Sequence, residues 1–134
     1  MTTVTLVRLR ITKKLYMFDF EKLDVYQEVR TLNAKVLRWM LNSAGADTYL
    51  TDQLKRASLK ALLNLAEGTG RMNNADKRKY YVDARSAVFE SVAALHLLFD
   101  TGAIEATRYE EFYNGYDKAS RMLLGMIRSL DGAA

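Results

Sequence analysis

Cysteine and proline are both absent from this 134-residue chain, and histidine occurs once. Without cysteine there are no disulfide frameworks, no thiolate zinc sites and no cysteine nucleophiles. Zero proline is the more telling absence, because average usage near ~5% would put about six or seven in this length. Few folds other than helical bundles do without it. The lone His96 excludes the usual carboxylate-bridged metal bundle, which needs Glu-x-x-His pairs from two helices; here Ala93 stands three positions before it. His96 is therefore read as a packed or partly exposed residue of a helix. Also missing are a Gly-x-Ser-x-Gly elbow, a Walker sequence and any apolar run near the ~18–20 residues of a spanning helix. Gly68-x-Gly70 follows a helical pattern instead of a strand, so it lacks the setting of a dinucleotide-binding loop. No catalytic residue, metal or cofactor is assigned on these grounds, and neither export nor membrane insertion is expected.

What is present describes one globular domain, with 49% hydrophobic and 27% charged residues. A chain of this length removes ~65–70% of its unfolded surface from water, enough for one self-supporting core. The net charge is +4, but its location matters more than its size. No acidic residue precedes Asp19, while Arg8, Arg10, Lys13 and Lys14 all do. With those four set aside, 16 of the 20 basic residues remain against 16 acidic ones, so the body is formally neutral.

Residues 1–17 differ from the rest. Val7, Leu9 and Ile11 alternate with Arg8, Arg10 and Thr12, a period of two that predicts extended, strand-like backbone. This basic extension reads as upstream sequence before a start at Met17, as an organelle-targeting leader, or as an arm that touches a partner. From Phe18 the period becomes helical. Leu23, Tyr26, Val29, Asn33, Val36, Leu37 and Met40 make one apolar stripe on a helix over about 20–42. A second helix is predicted from Thr48 to Thr51, capped by either hydroxyl, to Glu67, with Gly68 as its left-handed stop. It is apolar on most sides, through Leu54, Ala57, Leu59, Ala61, Leu62, Leu63, Leu65 and Ala66, and so should be contacted from more than one direction. Asn73 or Asn74 caps a third helix ending before Gly102, and Thr107 with Glu110 forms a capping box for a fourth reaching about Leu130. The expected fold is all-α, an antiparallel up-down-up-down four-helix bundle over 18–131 with a short tail at 132–134.

Three polar or aromatic groups stand out. Gln53, Arg56, Lys60, Asn64 and Glu67 recur at three- and four-residue steps, drawing one polar line along the greasy second helix. That line is a solvated face, a hydrogen-bonded contact to Arg121, Arg128 or Ser120 of the fourth helix or of another subunit, or a small-molecule or catalytic site using Glu67, Asn64 and Glu90. Arg71, Lys77, Arg78 and Lys79 with the adjoining Tyr80 and Tyr81 form a candidate RNA patch, since cations beside aromatics hold phosphate and stack on unpaired bases. Asp76 and Asp83 interrupt it. Eight Tyr and five Phe, with Tyr109, Phe112, Tyr113 and Tyr116 crowded together, exceed what one bundle core can take and suggest an oligomer interface.

The segment Phe20-Glu21-Lys22-Leu23-Asp24-Val25-Tyr26-Gln27 resembles the start of the four-helix-bundle proteins encoded by intervening sequences of 23S rRNA genes. Gln53-Leu54-Lys55-Arg56-Ala57, then Asn64-Leu65-Ala66-Glu67-Gly68-Thr69-Gly70-Arg71, residues 81–90 and the run from Ser120-Arg121-Met122-Leu123 to Leu130 are similar to later family segments, in order. Departures are Lys60-Ala61-Leu62 in place of a Ser-x-Pro step, and Ser86-Ala87 in place of a Gly-Ser pair. The resemblance implies a bacterial, cytoplasmic bundle that assembles as a ring, commonly a homopentamer, without enzymatic activity. More distantly it implies kinship with accessory variability proteins of diversity-generating retroelements, which associate with a reverse transcriptase and its RNA. The neutral body speaks against a close match to that strongly cationic group. The resulting expectation is a homo-oligomeric, RNA-associated binding or scaffolding protein. The alternatives are a reverse-transcriptase accessory subunit and the small-molecule or catalytic bundle.

Overall fold

The computed structural model describes residues 2–12, 16–43, 45 and 47–132, with backbone only at 7 and 9–12. In chain order these form α1 (Thr3–Thr12), a 3-10 turn (Asp19–Lys22), α2 (Asp24–Leu41), α3 (Thr48–Thr69), α4 (Asn74–Asp100) and α5 (Ala106–Gly132), with no strand among the described residues.

The strand expected around Val7, Leu9 and Ile11 is instead the helix α1. An extended segment needs a neighbouring strand to satisfy its backbone, and there is none among the described residues; a helix closes those hydrogen bonds within itself. Thr2 assists by accepting the Thr5 amide on its hydroxyl oxygen at 3.1 Å. Among the described residues α1 packs on no other helix.

The other helix ends follow from local chemistry, with three departures from expectation. Asp47, not Thr48 or Thr51, caps α3 by accepting the Leu50 amide at 3.1 Å. A carboxylate there also meets the positive end of the helix dipole. Gly68 does not stop α3; the helix continues to Thr69 and Gly68 is buried within it. A Cβ on Gly68 would lie 2.7 Å from Cε1 of Tyr81, so the glycine provides room for a close crossing of α3 and α4 instead of a turn. Helix α5 starts at Ala106, which places Thr107 inside the first turn, and no bond joins Thr107 to Glu110. Two expectations agree. Asn73 caps α4 by accepting the Asp76 amide at 2.8 Å, and Gly102, at φ +75°, turns the chain after α4.

Helix α2 packs on α3 and α5, and α4 packs on the same two; the pairs α2 with α4 and α3 with α5 make no close backbone approach. The most extensive pair is α3 with α4. Ala57 and Ala61 on α3 and Ala84 and Ala87 on α4, all buried, let these backbones approach. The core is filled by Val29, Val36, Leu54, Leu65, Val88, Leu95, Leu98, Phe112 and Leu123. Leu37, expected in the stripe of α2, is exposed, and Trp39 and Leu32 are buried in that helix instead. Leu59 and Leu63 point away from the core at 52% and 56% exposure. The described residues leave these two side chains of α3 largely uncovered.

At the centre lies a polar group that joins three helices. The Asn33 side chain donates to the Ser58 backbone oxygen at 2.6 Å and accepts from the Tyr116 hydroxyl at 3.2 Å. Burial pushes the Tyr116 phenol well above its ordinary value, with the Ser91 hydroxyl acting weakly in the opposite sense. No described buried side-chain polar atom lacks a partner.

Candidate functional site

The polar line of α3 lies on the outside of the molecule, with Gln53, Arg56, Lys60 and Glu67 exposed and Asn64 half-buried. Lys60 Nζ is 3.5 Å from Glu90 Oε1 of α4, and Glu67 Oε1 accepts from Arg71 at 2.8 Å. The fourth-helix residues considered as partners are not brought to it, because α3 and α5 are not neighbouring helices and the line lies on the outer face of α3. Arg121 pairs instead with Asp117 one turn earlier, at 3.2 Å, the Ser120 hydroxyl donates to the Asp117 carbonyl at 2.8 Å, and Arg128 is exposed. Asn64 and Glu67 line an open groove that also contains Leu59 and Leu63, whereas Glu90 lines a neighbouring groove with Tyr49, Gln53 and Leu97. Glu67, Asn64 and Glu90 thus do not converge on one enclosed cavity.

The basic loop is more committed internally than its composition suggests. Arg71 donates to Glu67 and, at 2.6 Å, to the Tyr80 hydroxyl, with its guanidinium 4.6 Å from the Tyr80 ring centre. Lys77 donates to the Thr69 carbonyl at 3.0 Å, and Arg78 pairs with Asp131 at 2.7 Å. Lys79 alone in this cluster engages no described residue. These are exposed or half-exposed pairs, worth up to about 1 kcal/mol each, so an incoming phosphate can compete for the cations.

The aromatic crowd on α5 divides by helix geometry. Phe112 and Tyr116 face the core, fully buried, while Tyr109 and Tyr113 lie against α4 at the surface. There they meet Phe99 and His96. Phe99 stacks on Tyr109 at 4.4 Å between ring centres, Tyr109 is 5.7 Å from Tyr113, and Tyr113 is 6.2 Å from the His96 imidazole. His96, Phe99 and Tyr113 are exposed. Further along α4, half-exposed Phe89 carries the Arg85 guanidinium 4.6 Å above its ring. Sequence reasoning found the tyrosines but not Phe99 and His96 as their partners. The only signal was the three-residue step from 96 to 99, which gains meaning once α4 and α5 lie side by side.

Beyond these, an open cleft of about 600 Å³ lies between the starts of α2 and α4 and the end of α5, lined chiefly by Leu23, Val25, Tyr81, Met122, Met126 and Leu130. Among the described residues no cluster of His, Asp or Glu offers a metal-ion site, and no helix is long and apolar enough to cross a membrane.

The structure defines an all-helical bundle whose outward features are a leucine ridge, a stacked aromatic strip and a paired basic loop. Residues 21–125 match the 23S rRNA-intervening sequence protein family, and the chain belongs to it. Among solved structures, the chain is similar to the crystal structure of a protein of unknown function from the S23 ribosomal protein family of Bacteroides thetaiotaomicron. The TM-score is 0.71 at 19% identity, over 77% of this chain and 97% of that one. That similarity concerns the fold alone. No curated protein matches.

Proposed function

We propose that this chain is a non-enzymatic, self-associating four-helix bundle of up-down-up-down topology that serves RNA-associated binding or scaffolding in the cytoplasm. The cyclic packing of α2, α3, α4 and α5, with no close backbone approach across the diagonals, supports the topology. The observation that carries the self-association is the outward placement of Leu59, Leu63, Phe89, Leu97, Phe99 and Tyr113 on regular helices. Scattered apolar residues are ordinary on a surface, but runs along helix faces mark contact sites. Assembly into a ring, a homopentamer as the family resemblance implies, is the form we favour.

The RNA association draws on the family's tie to 23S rRNA intervening sequences and on Arg71, Lys77, Arg78, Lys79 and Tyr80 at one end of the molecule. Affinity for phosphate scales with the cations presented, so a neutral body with one basic loop favours modest, salt-sensitive binding. A catalytic reading through Glu67, Asn64 and Glu90 has less support, because both carboxylates already pair with cations and face separate grooves. Light scattering on the eluting protein, with sequencing of co-purifying nucleic acid, tests the proposal. A multimer carrying RNA is expected; a monomer at high concentration, or a multimer that binds no RNA at low salt, defeats the corresponding half.

A further inference from the structure

We infer that the self-association is heterologous, the leucine ridge of α3 in one copy seating on the aromatic strip between α4 and α5 of the next. This rests on the self-association reading above and names the two surfaces that meet.

The surfaces match in size and chemistry. On α3, Leu59 and Leu63 are one turn apart, with Lys55 and Arg56 a turn before Leu59, a strip about 12 Å long at 1.5 Å per residue. On α4, the apolar strip from Phe89 through His96 to Phe99 is about 15 Å long by the same rise, and Tyr109 and Tyr113 widen it from α5. Two slender aliphatic side chains against a row of aromatic faces and edges is the kind of contact that dominates interface cores.

Charge chooses the pairing. Over residues 52–63 the cations Lys55, Arg56 and Lys60 stand against one carboxylate, Asp52. Over residues 85–113, which take in the Arg85 that lies on Phe89, the carboxylates Glu90, Asp100, Glu105, Glu110 and Glu111 stand against two cations, Arg85 and Arg108, besides His96. Arg108 and Glu111 already pair at 3.6 Å, and Lys60 is held by Glu90. This leaves Lys55 and Arg56 on the ridge, and Asp100 and Glu110 beside the rings, without a partner among the described residues. By helix spacing Asp100 is one turn from His96 and Glu110 one turn from Tyr113, so both carboxylates flank the strip. Ridge on ridge in parallel would set Lys55 and Arg56 against their copies, and antiparallel would offer them only Glu67, which Arg71 already holds; ridge on strip sets Lys55 and Arg56 near the unpaired Asp100 and Glu110. A contact between two different faces of one chain propagates head to tail, which closes a ring when the rotation allows it.

The absence of native cysteine makes the test clean. Leu63→Cys and Tyr113→Cys, each a single thiol at an exposed site, are treated with a bismaleimide spanning about one helix diameter (~10 Å), separately and after mixing of the two variants. The expected result is a cross-linked dimer only in the mixture, and a ladder of multimers when both substitutions are in one chain. Cross-linking within either variant alone, or an oligomer by light scattering with no cross-link in the mixture, overturns the pairing while leaving self-association intact. A monomer at every concentration overturns both. As a second measurement, Arg56→Glu should raise the self-dissociation constant about tenfold or more, through like charge facing Asp100 and Glu110. Admixture of Glu110→Lys chains should restore assembly; failure of both effects counts against the proposal.

Discussion

The Tyr116 hydroxyl on α5 donates to the Asn33 side-chain oxygen on α2, 83 positions away in sequence, across 3.2 Å of fully enclosed space. The same amide reaches the Ser58 carbonyl on α3 with its nitrogen, so one side chain uses both ends to tie its helix to two others. An apolar residue at either position would pack but would not favour one register of α2 against α3 and α5.

Replacing Tyr116 by Phe should destabilise the fold by about 1–3 kcal/mol, because the Asn33 oxygen is left buried without its donor. Combining it with Asn33→Leu should cost less than the sum of the two single changes, since no half-satisfied amide then remains. Urea unfolding of the four proteins of the cycle measures both; strict additivity would show that the bond does not couple the helices.

Alkali should weaken the fold through its buried phenols. Burial raises the phenols of Tyr116 and Tyr81 above their ordinary value of 10.0. The unfolded chain then releases these protons at a lower pH than the folded one. Their contribution is complete below about pH 10 and is lost as the pH climbs toward the folded values. Melting temperatures followed upward through this range should fall less steeply for Tyr116→Phe than for the parent; parallel curves would remove Tyr116 as a source.

Glycine substitutions should separate room from flexibility. Alanine at Gly68 meets Tyr81 at 2.7 Å and at Gly115 meets Leu32 at 2.8 Å, overpacking that costs about 1–3 kcal/mol, less at Gly115 where a flexible side-chain end is the obstacle. Gly125 has nothing within 4 Å of the added methyl, so Gly125→Ala should gain about 0.5–1 kcal/mol from helix propensity alone. Thermal melts of the three variants are enough to rank them, and a stabilised Gly68→Ala would contradict the close crossing.

Changing Arg71, Lys77, Arg78 and Lys79 together to Ala should weaken RNA binding and flatten its salt dependence, by a slope of up to about 0.7 per lost contact on a single strand. Lys79→Ala alone should lower affinity without moving the melting temperature, since Lys79 engages no described residue in the chain. An unchanged binding isotherm for the fourfold variant excludes this loop.

Much of the fold was legible because its causes are local. The apolar steps that define α2 to α5, the Asn73 cap and the Gly102 turn each depend on residues within about one helical turn of one another. The candidate site was legible only in inventory. The polar line of α3 is real, yet its expected partners Arg121 and Arg128 lie on a helix that is not a neighbour of α3. The basic cluster is present, yet its charges are mostly shared with Glu67, Asp131 and the Thr69 carbonyl.

Composition and periodicity by themselves determined a helical, formally neutral body behind a basic beginning, with more aromatic and leucine surface than one core absorbs, but not that the basic beginning is itself helical. Only the tertiary structure decided which helix face meets which. It turned Asn33 from a stripe position into the central hydrogen-bonded amide, and Gly68 from a stop into a gap for Tyr81. It also turned Leu59 and Leu63 outward. The reason is one of range: a helix forms through bonds four residues long, whereas burial depends on neighbours that the chain brings back from tens of residues away.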